Sequence, residues 1–393
     1  MKILIYRYGS ICEPDIIEAF RNAGLTVDED CEQISDKKLL PSDIVLDVSE
    51  RLKNNTYLFV FSINFFPPVS DTCELYKVPY VAWTVDSPIM ELFSPSLKNS
   101  CNRIFLFDRH QYNYFGKDLN NCFYLPLATN VMRWDSVIKN ASKESVDKFT
   151  SDISFVGSLY TEKNPYRKIK NLSAKTKGYI DGLLNAQKLI YGYYFAEEAL
   201  NDEIMEDFLK NVPDLTESPY SKYFDPKIIM ADFFLGMELA CRERKELLNY
   251  ISESFPVNVY TNSDTSELSP NVIAHGGVKT LSEMPLVFNG SKINLNFTIR
   301  PIRTGLSLRL FDITGSGGFL LTNFQEELPE YFEPGKDVEF FTSKEELSDK
   351  IAFYLSNDSA RMKIAQNGYE KTKKLHTYGA RINSMIKTIY ECI

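Results

Sequence analysis

Short apolar runs alternate with helix-length segments along most of this chain, and that alternation admits few folds. Residues 2–6, 57–63, 80–85, 103–107 and 122–125 are such runs. The first ends at Tyr8-Gly9-Ser10. Residues 14–23 follow with Ile16, Ile17 and Phe20 at helical spacing, and Gly24 stops them. Strand, turn and helix repeated in this way predict a largely parallel sheet covered by helices. Residues 135–150 then turn polar and charged, as a linker or exposed helix between domains would. A second series opens at Asp152-Ile153-Ser154-Phe155-Val156 with Gly157-Ser158 behind it. It resumes at residues 257–260, 292–296, 318–322 and 338–341. Three helices, within 343–356, 358–374 and 379–391, are expected to close the chain. The expected fold class is therefore α/β with two Rossmann-like domains. The first covers residues 1–148 and the second 149–375, and a C-terminal helix within 376–393 packs back on the first. Residues 161 to about 250 show helical patterns and no clear strand, which reads as a helical insertion in the second domain.

Composition removes several function classes. The formal net charge of −9 disfavours a nucleic acid partner, because phosphate-backbone binding needs a positive field. Seven cysteines occur without a C-x-x-C pair, so neither a disulfide framework nor a zinc site is indicated. The opening MKILIYRYGS lacks the long apolar region and cleavage site of a secretory signal. The longest apolar stretch, residues 58–69, is interrupted by Ser62, Asn64 and Pro67-Pro68. The expectation is a cytoplasmic protein, with peripheral contact at the inner face of the membrane left open. The basic residues Lys163, Arg167, Lys168, Lys170, Lys175 and Lys177 read first as a solvated helix face. Contact with an anionic acceptor or a membrane is the functional alternative. Asp28-Glu29-Asp30 has the outline of a metal-binding D-x-D, but its charged surroundings read as a solvated turn.

One segment concentrates chemistry: residues 300–323, beginning Arg300-Pro-Ile-Arg-Thr-Gly-Leu-Ser-Leu-Arg and ending in an apolar strand. Thr304 has the chemistry of an N-cap, and Gly305 allows a ligand close to the backbone. A helix of about ten residues is expected from Gly305, with Gly315 as its stop. Its free N–H groups would favour an anion. Arg300, Arg303 and Arg309 add guanidinium donors suited to a pyrophosphate. Asp312, three residues after Arg309, would lie where a carboxylate can accept ribose hydroxyls. An ordinary i,i+3 ion pair is the plain alternative.

Residues 305–351, from Gly305-Leu306-Ser307-Leu308-Arg309 onward, together with His376-Thr377-Tyr378 and Arg381, resemble the C-terminal half of bacterial glycosyltransferases related to the spore maturation protein B family. Those are similar to the broad glycosyltransferase family 4 group, which has the GT-B fold of two Rossmann-like domains facing a cleft. Trp83-Thr-Val-Asp86-Ser-Pro88 resembles the Trp-x-x-Asp-x-Pro element of these proteins. The resemblance implies that Gly305, Leu306 and Ser307 begin a phosphate-binding helix and that Asp312 stands at the ribose ligand of the E-x7-E motif. It implies further that Gly277-Val278 meet the nucleobase and that Gly157-Ser158 lie near the diphosphate. Thr304 falls where that motif has its first glutamate, a sugar contact in retaining enzymes. This departure leans the stereochemistry towards inversion.

An inverting transfer needs a general base for the acceptor hydroxyl. Asp86, at the end of an apolar strand, is the first candidate, and His110 in Asp108-Arg109-His110 the second. For Asp86 a turn or cap role is the plain alternative, and for His110 a structural hydrogen bond. His275 is assigned to nucleotide or sugar contact, and His376 to a structural role. No cofactor and no metal are expected, since a helix start and basic side chains can stabilise a leaving diphosphate. The expected donor is a nucleoside-diphosphate sugar, with UDP the first choice of nucleotide. The acceptor is a hydroxyl of a glycan, a lipid-linked glycan or a protein. Two other classes fit the residues: a nucleotide-sugar epimerase or hydrolase on the same fold, and a non-enzymatic two-lobed binding protein.

Overall fold

A computed structural model of the protein describes residues 1–36, 38–212 and 221–391. The described chain divides into two compact units. One comprises residues 1–129, 221–223 and 376–391, the other 130–212 and 224–375. The polar segment around 135–150 forms the helices Val131–Lys139 and Lys143–Phe149, and both belong to the second unit. The boundary expected at 148 falls inside the second of these helices. Residues 392–393 of the expected C-terminal helix and 213–220 of the expected insertion lie outside the described residues.

The first unit holds a parallel six-stranded sheet in the order β2-β1-β3-β4-β5-β6. Its strands are β1 (Lys2–Tyr6), β2 (Thr26–Asp30), β3 (Val60–Ile63), β4 (Tyr80–Trp83), β5 (Asn102–Leu106) and β6 (Cys122–Tyr124). β3 and β4 are buried at every position, as parallel strands covered on both faces must be. The helices Pro41–Asn54 and Pro67–Tyr76 each begin on proline, whose missing N–H costs nothing in a first turn. The final helix, Tyr378–Glu391, packs against Glu13–Asn22.

The turn expected at Asp28-Glu29-Asp30 is instead strand β2. Its carboxylates are engaged along the sheet edge: Asp28 with Lys2 and Tyr57, Glu29 with Arg7 and Arg21, and Asp30 with Arg51. An edge strand satisfied by ion pairs carries no apolar run, so the hydrophobic pattern misses it.

The second unit has a parallel sheet in the order β12-β11-β10-β7-β8-β9. The strands are β7 (Ser151–Val156), β8 (Val257–Tyr260), β9 (Val272–Ala274), β10 (Ser291–Asn296), β11 (Leu320–Asn323) and β12 (Glu339–Phe341). Renumbered within the unit, this is the 3-2-1-4-5-6 order of the dinucleotide-binding fold, and β7 and β10 flank the point where the order reverses. Such a sheet binds ligands outside the strand ends at that reversal. The expected insertion ends earlier than 250. Helix Gly236–Ser252 leads directly into β8 and packs on the sheet, so it is the crossover helix of the fold itself. Among the described residues from 161 to 235, all regular structure is helical, including Ala174–Lys188, Asp202–Asn211 and a π-helix, Ile229–Leu235. No described helix is long and apolar enough to cross a membrane.

Candidate functional site

The expected helix start moves. The helix runs Leu308–Gly315 with Ser307 as its N-cap position, three residues later than Gly305 would give. The cause is the loop after β11. Gln325 donates to the carbonyls of Ile302 and Gly305, at 3.0 and 2.9 Å. Thr304 donates its hydroxyl to Glu327 at 2.7 Å, and its carbonyl accepts the Glu327 N–H. Backbone groups that a helix would use are thereby committed elsewhere. Thr304 is accordingly no N-cap, and Gly305-Leu306-Ser307 form the approach to the helix. The helix ends through Ser316 and Gly317, which has φ +74°, rather than at Gly315.

Ser307 does not cap the helix through its side chain. Its hydroxyl lies 3.2 Å from Asn296 Nδ2 and 3.3 Å from Thr298 Oγ1. The first-turn N–H groups are thus left without the usual serine acceptor. Arg309 follows in that first turn.

Across the reversal point, Gly157 and Ser158 follow β7. Leu159 N–H donates to the Ser263 hydroxyl at 2.8 Å, tying this loop to the one after β8. Arg244, on the crossover helix, spans the reversal from below. Its Nη1 donates to the Ser158 carbonyl and its Nη2 to the Phe297 carbonyl, both at 2.5 Å. Its guanidinium lies 4.8 Å from the Tyr160 ring centroid and 5.5 Å from that of Phe155. Burial, with the Arg309 charge a lesser contributor, pushes Arg244 below the ordinary guanidinium range. No carboxylate among the described residues forms an ion pair with it. The Arg309 charge acts on Arg244, and a helix start without a side-chain cap is the kind of arrangement that favours an anion.

The other expected arginines are not part of it. Arg300 is 4% exposed and makes a two-point pair with Glu243, at 3.2 and 2.5 Å. Arg303 lies 2.9 Å from Asp232 and 3.3 Å from Glu197. Both charges are neutralised within the protein, which corrects the expectation that they serve a pyrophosphate. Asp312 is buried and lies 3.5 Å from Arg309, so the i,i+3 pair is present. Gly277 packs on the loop after β8 so closely that a Cβ there would come within 2.3 Å of Asn262 Oδ1. Val278 follows it in the segment after β9. His275 turns back along β8: its Nε2 is 2.7 Å from Asn258 Oδ1 and its ring stacks on Tyr260 at 4.7 Å. Burial first, then Lys148, lowers its pKa.

In the first unit the sheet reverses between β1 and β3, and the candidate base lies beside that point. Asp86 is exposed at the end of β4. Asn64, at the end of β3, donates its side-chain amide to Asp86 at 2.7 Å and to Tyr8 at 2.9 Å, and its side-chain Oδ1 accepts Val85 N–H at 3.0 Å. The loop after β1 is closed to phosphate. A buried Glu13 carboxylate oxygen accepts the N–H groups of Tyr8, Gly9 and Ser10 at 2.9, 2.9 and 3.1 Å. His110 is exposed on a short helix whose N-cap, Asp108, accepts its N–H at 2.9 Å. His376 is buried, with Nδ1 2.9 Å from Arg381. No group of three or more His, Cys, Asp or Glu side chains among the described residues is placed to hold a metal ion.

Residues 242–387 match the family model described as glycosyl transferase-like. The similarity thus falls mostly on the second unit and reaches into the last helix. The match starts inside the crossover helix and takes in β8 to β12, the Thr304–Asp312 segment and most of the last helix. It leaves the insertion outside. No curated protein matches the chain in sequence. Solved structures similar over the whole length include Anabaena HepE in complex with UDP and glucose (10% identity, all of both chains, TM-score 0.53). Sucrose-phosphate synthase from Thermosynechococcus elongatus is similar at 9% identity over all of both chains, with TM-score 0.57. A glycosyltransferase from Rickettsia africae is similar at 9% identity, over 100% of this chain and 98% of its own, with TM-score 0.53. At such identities the likeness establishes the fold, GT-B, with its two Rossmann-like domains.

Arg244, Asn64, Gln325 and Glu327 were missed from sequence. Arg244 sits in the helical run Arg-Glu-Arg-Lys-Glu, where no local signal separates a ligand-side cation from a solvated one. Gln325 and Glu327 follow an apolar strand, and that position at a parallel-sheet edge was the signal available.

Proposed function

We propose that the protein is a glycosyltransferase that takes a sugar from a nucleoside diphosphate, UDP being the first candidate, and passes it to a hydroxyl acceptor. The observation that carries this reading is Arg244, a guanidinium with no ion-pair partner among the described residues. It stands at the strand reversal of the unit on which the glycosyl transferase-like similarity mostly falls, beside an uncapped helix start. A departing diphosphate needs positive charge that is already in place, and Arg244, Arg309 and the N–H groups of Leu308 and its neighbours supply it. These groups perform the charge stabilisation that a divalent ion would otherwise provide, so transfer is proposed to be metal-independent. Asp86 is assigned as the base that takes the acceptor proton, with His110 as the second candidate. Gly277-Val278 are assigned to the nucleobase and Asp312 to the ribose.

A glycan, lipid-linked glycan or protein hydroxyl is proposed as the acceptor, with action in the cytoplasm, where the seven scattered cysteines would stay reduced. The UDP complex of HepE supports the choice of nucleotide.

The test is a thermal-shift series with UDP, GDP, dTDP and ADP, followed by mass spectrometry of the matching nucleotide-sugars incubated with protein. A shift with one nucleotide and slow release of its diphosphate from the sugar are expected. No shift with any of them would sink the reading. Isomerisation of the sugar without release would reassign the protein to donor conversion.

A further inference from the structure

The insertion lies outside the region matched to the family, yet it grips the loop that delivers the helix start. That loop, residues 297–307, runs from the end of β10 to Ser307. Arg303 reaches out of it into the insertion. Its Nη2 is 2.9 Å from Asp232 and 3.3 Å from Glu197, its Nη1 donates to the Tyr194 carbonyl at 3.1 Å, and its guanidinium lies 4.5 Å from the Tyr194 ring centroid. Three residues earlier, Arg300 pairs with Glu243 of the crossover helix and stacks 4.1 Å from the Tyr191 ring. Between the two arginines, Pro301 lies against Gly236, where a Cβ would come within 2.4 Å of the proline ring.

These contacts form a set. Asp232 lies in the π-helix Ile229–Leu235, a wider turn that is uncommon and recurs at functional positions. Side-chain exposure is 13% for Arg303 and 12% for Asp232, so the pair is largely shielded from water and weakly screened. The contacts are made by planar guanidinium forks and aromatic faces, which fix orientation as well as distance. Loop residues 302–305 are held from the other side by Gln325 and Glu327. The loop is thus clamped between the β11 turn and the insertion.

We propose that the insertion is a brace for the donor loop and that Asp232 is a positioning residue for nucleotide binding. It acts through Arg303 to fix where Ser307 and the first helical turn stand. This rests on the reading of that turn as the diphosphate site. The brace accounts for two arginines that look like phosphate ligands in sequence and are spent inside the protein.

The experiment compares wild type, Asp232→Asn, Asp232→Glu and Arg303→Lys. UDP affinity is measured by calorimetry, and amide exchange is followed by mass spectrometry. Asp232→Asn is expected to weaken UDP binding about tenfold and to speed exchange in residues 297–307 while β8 and β11 stay protected. Asp232→Glu should restore most of the affinity. Wild type that binds none of UDP, GDP, dTDP or ADP would fail the donor reading, and the proposal with it. Wild type that binds UDP, with Asp232→Asn binding it equally well, overturns the brace alone. Faster exchange spread over the whole unit also overturns it, because the residue would then serve stability only. If Asp232→Asn does not fold, Arg303→Lys is judged by the same two readouts.

Discussion

Asn64 holds the Asp86 carboxylate at 2.7 Å from a backbone that is itself left-handed, at φ 59°. Few residues other than glycine accept that conformation, and asparagine is among those that do. Backbone and side chain therefore favour one residue type at this position. Asn64→Gly keeps the backbone and removes the amide. Turnover should fall about tenfold, equivalent to about 1.4 kcal/mol, while UDP affinity stays within error. Unchanged turnover would take Asn64 out of the acceptor side of the reaction.

Arg244→Lys tests the anion site. It retains a charge and loses the fork that reaches both carbonyls. UDP affinity should fall about 10- to 100-fold, the range for a charge-assisted bond of about 1.5–3 kcal/mol. Arg309→Ala, which leaves those carbonyl contacts intact, should lower affinity in the same direction. Calorimetry at two salt concentrations checks both, since the loss of a phosphate-binding cation also flattens the salt dependence.

The first unit should lose stability as pH rises from about 4 to about 7. Asp30 is fully buried, and burial first, then the neighbouring Asp47 carboxylate, raises its pKa to about 7. Its Oδ2 has no hydrogen-bond partner. The folded state then binds more protons than the unfolded one between about pH 4, the ordinary carboxylate value, and about 7. The stability this group contributes is full below that window and is lost across it. Urea unfolding of wild type should weaken from pH 5 to 7.5, and Asp30→Asn should be flatter over that interval. Parallel slopes would reject the raised Asp30 pKa.

Two helical glycines should respond to alanine with opposite signs. At Gly178 nothing lies within 4 Å of a new Cβ, so Gly178→Ala gains helix propensity, about 0.5–1 kcal/mol. At Gly368 the Cβ would come within 2.3 Å of the Asp337 carbonyl oxygen, and the backbone there cannot give cheaply. Overpacking of about 1–3 kcal/mol should outweigh the propensity gain. Thermal melts of the two variants check this, with a rise expected for the first and a fall for the second.

The strands legible in sequence were those with apolar runs, including β1 and β8 to the residue. The two that escaped were edge strands: β2, whose sequence TVDED is satisfied by ion pairs, and β9, whose Ile273 is 46% exposed. Hydrophobic periodicity reports burial, and an edge strand need not be buried. The segment Arg300 to Asp312 stands out in sequence as a candidate, and the partners of its arginines do not. Nothing local to Arg300 and Arg303 announces Glu243 and Asp232, 57 and 71 residues away. Nor does anything near Arg244 announce that it reaches two strand ends. Long-range pairing decides which cations remain available to a ligand.

The last helix has a consequence for the order in which the protein can be made. Six strands of the first sheet have been synthesised once Tyr124 is in place, yet Trp83 still awaits Tyr378. The carbonyls of Pro126 and Leu127 still await Arg381, and helix Glu13–Asn22 awaits its neighbour. The amino-terminal unit must therefore remain unfinished on the ribosome while some 250 further residues emerge. A nascent chain stalled at residue 375 should expose that flank to protease, although every strand of its sheet is already present.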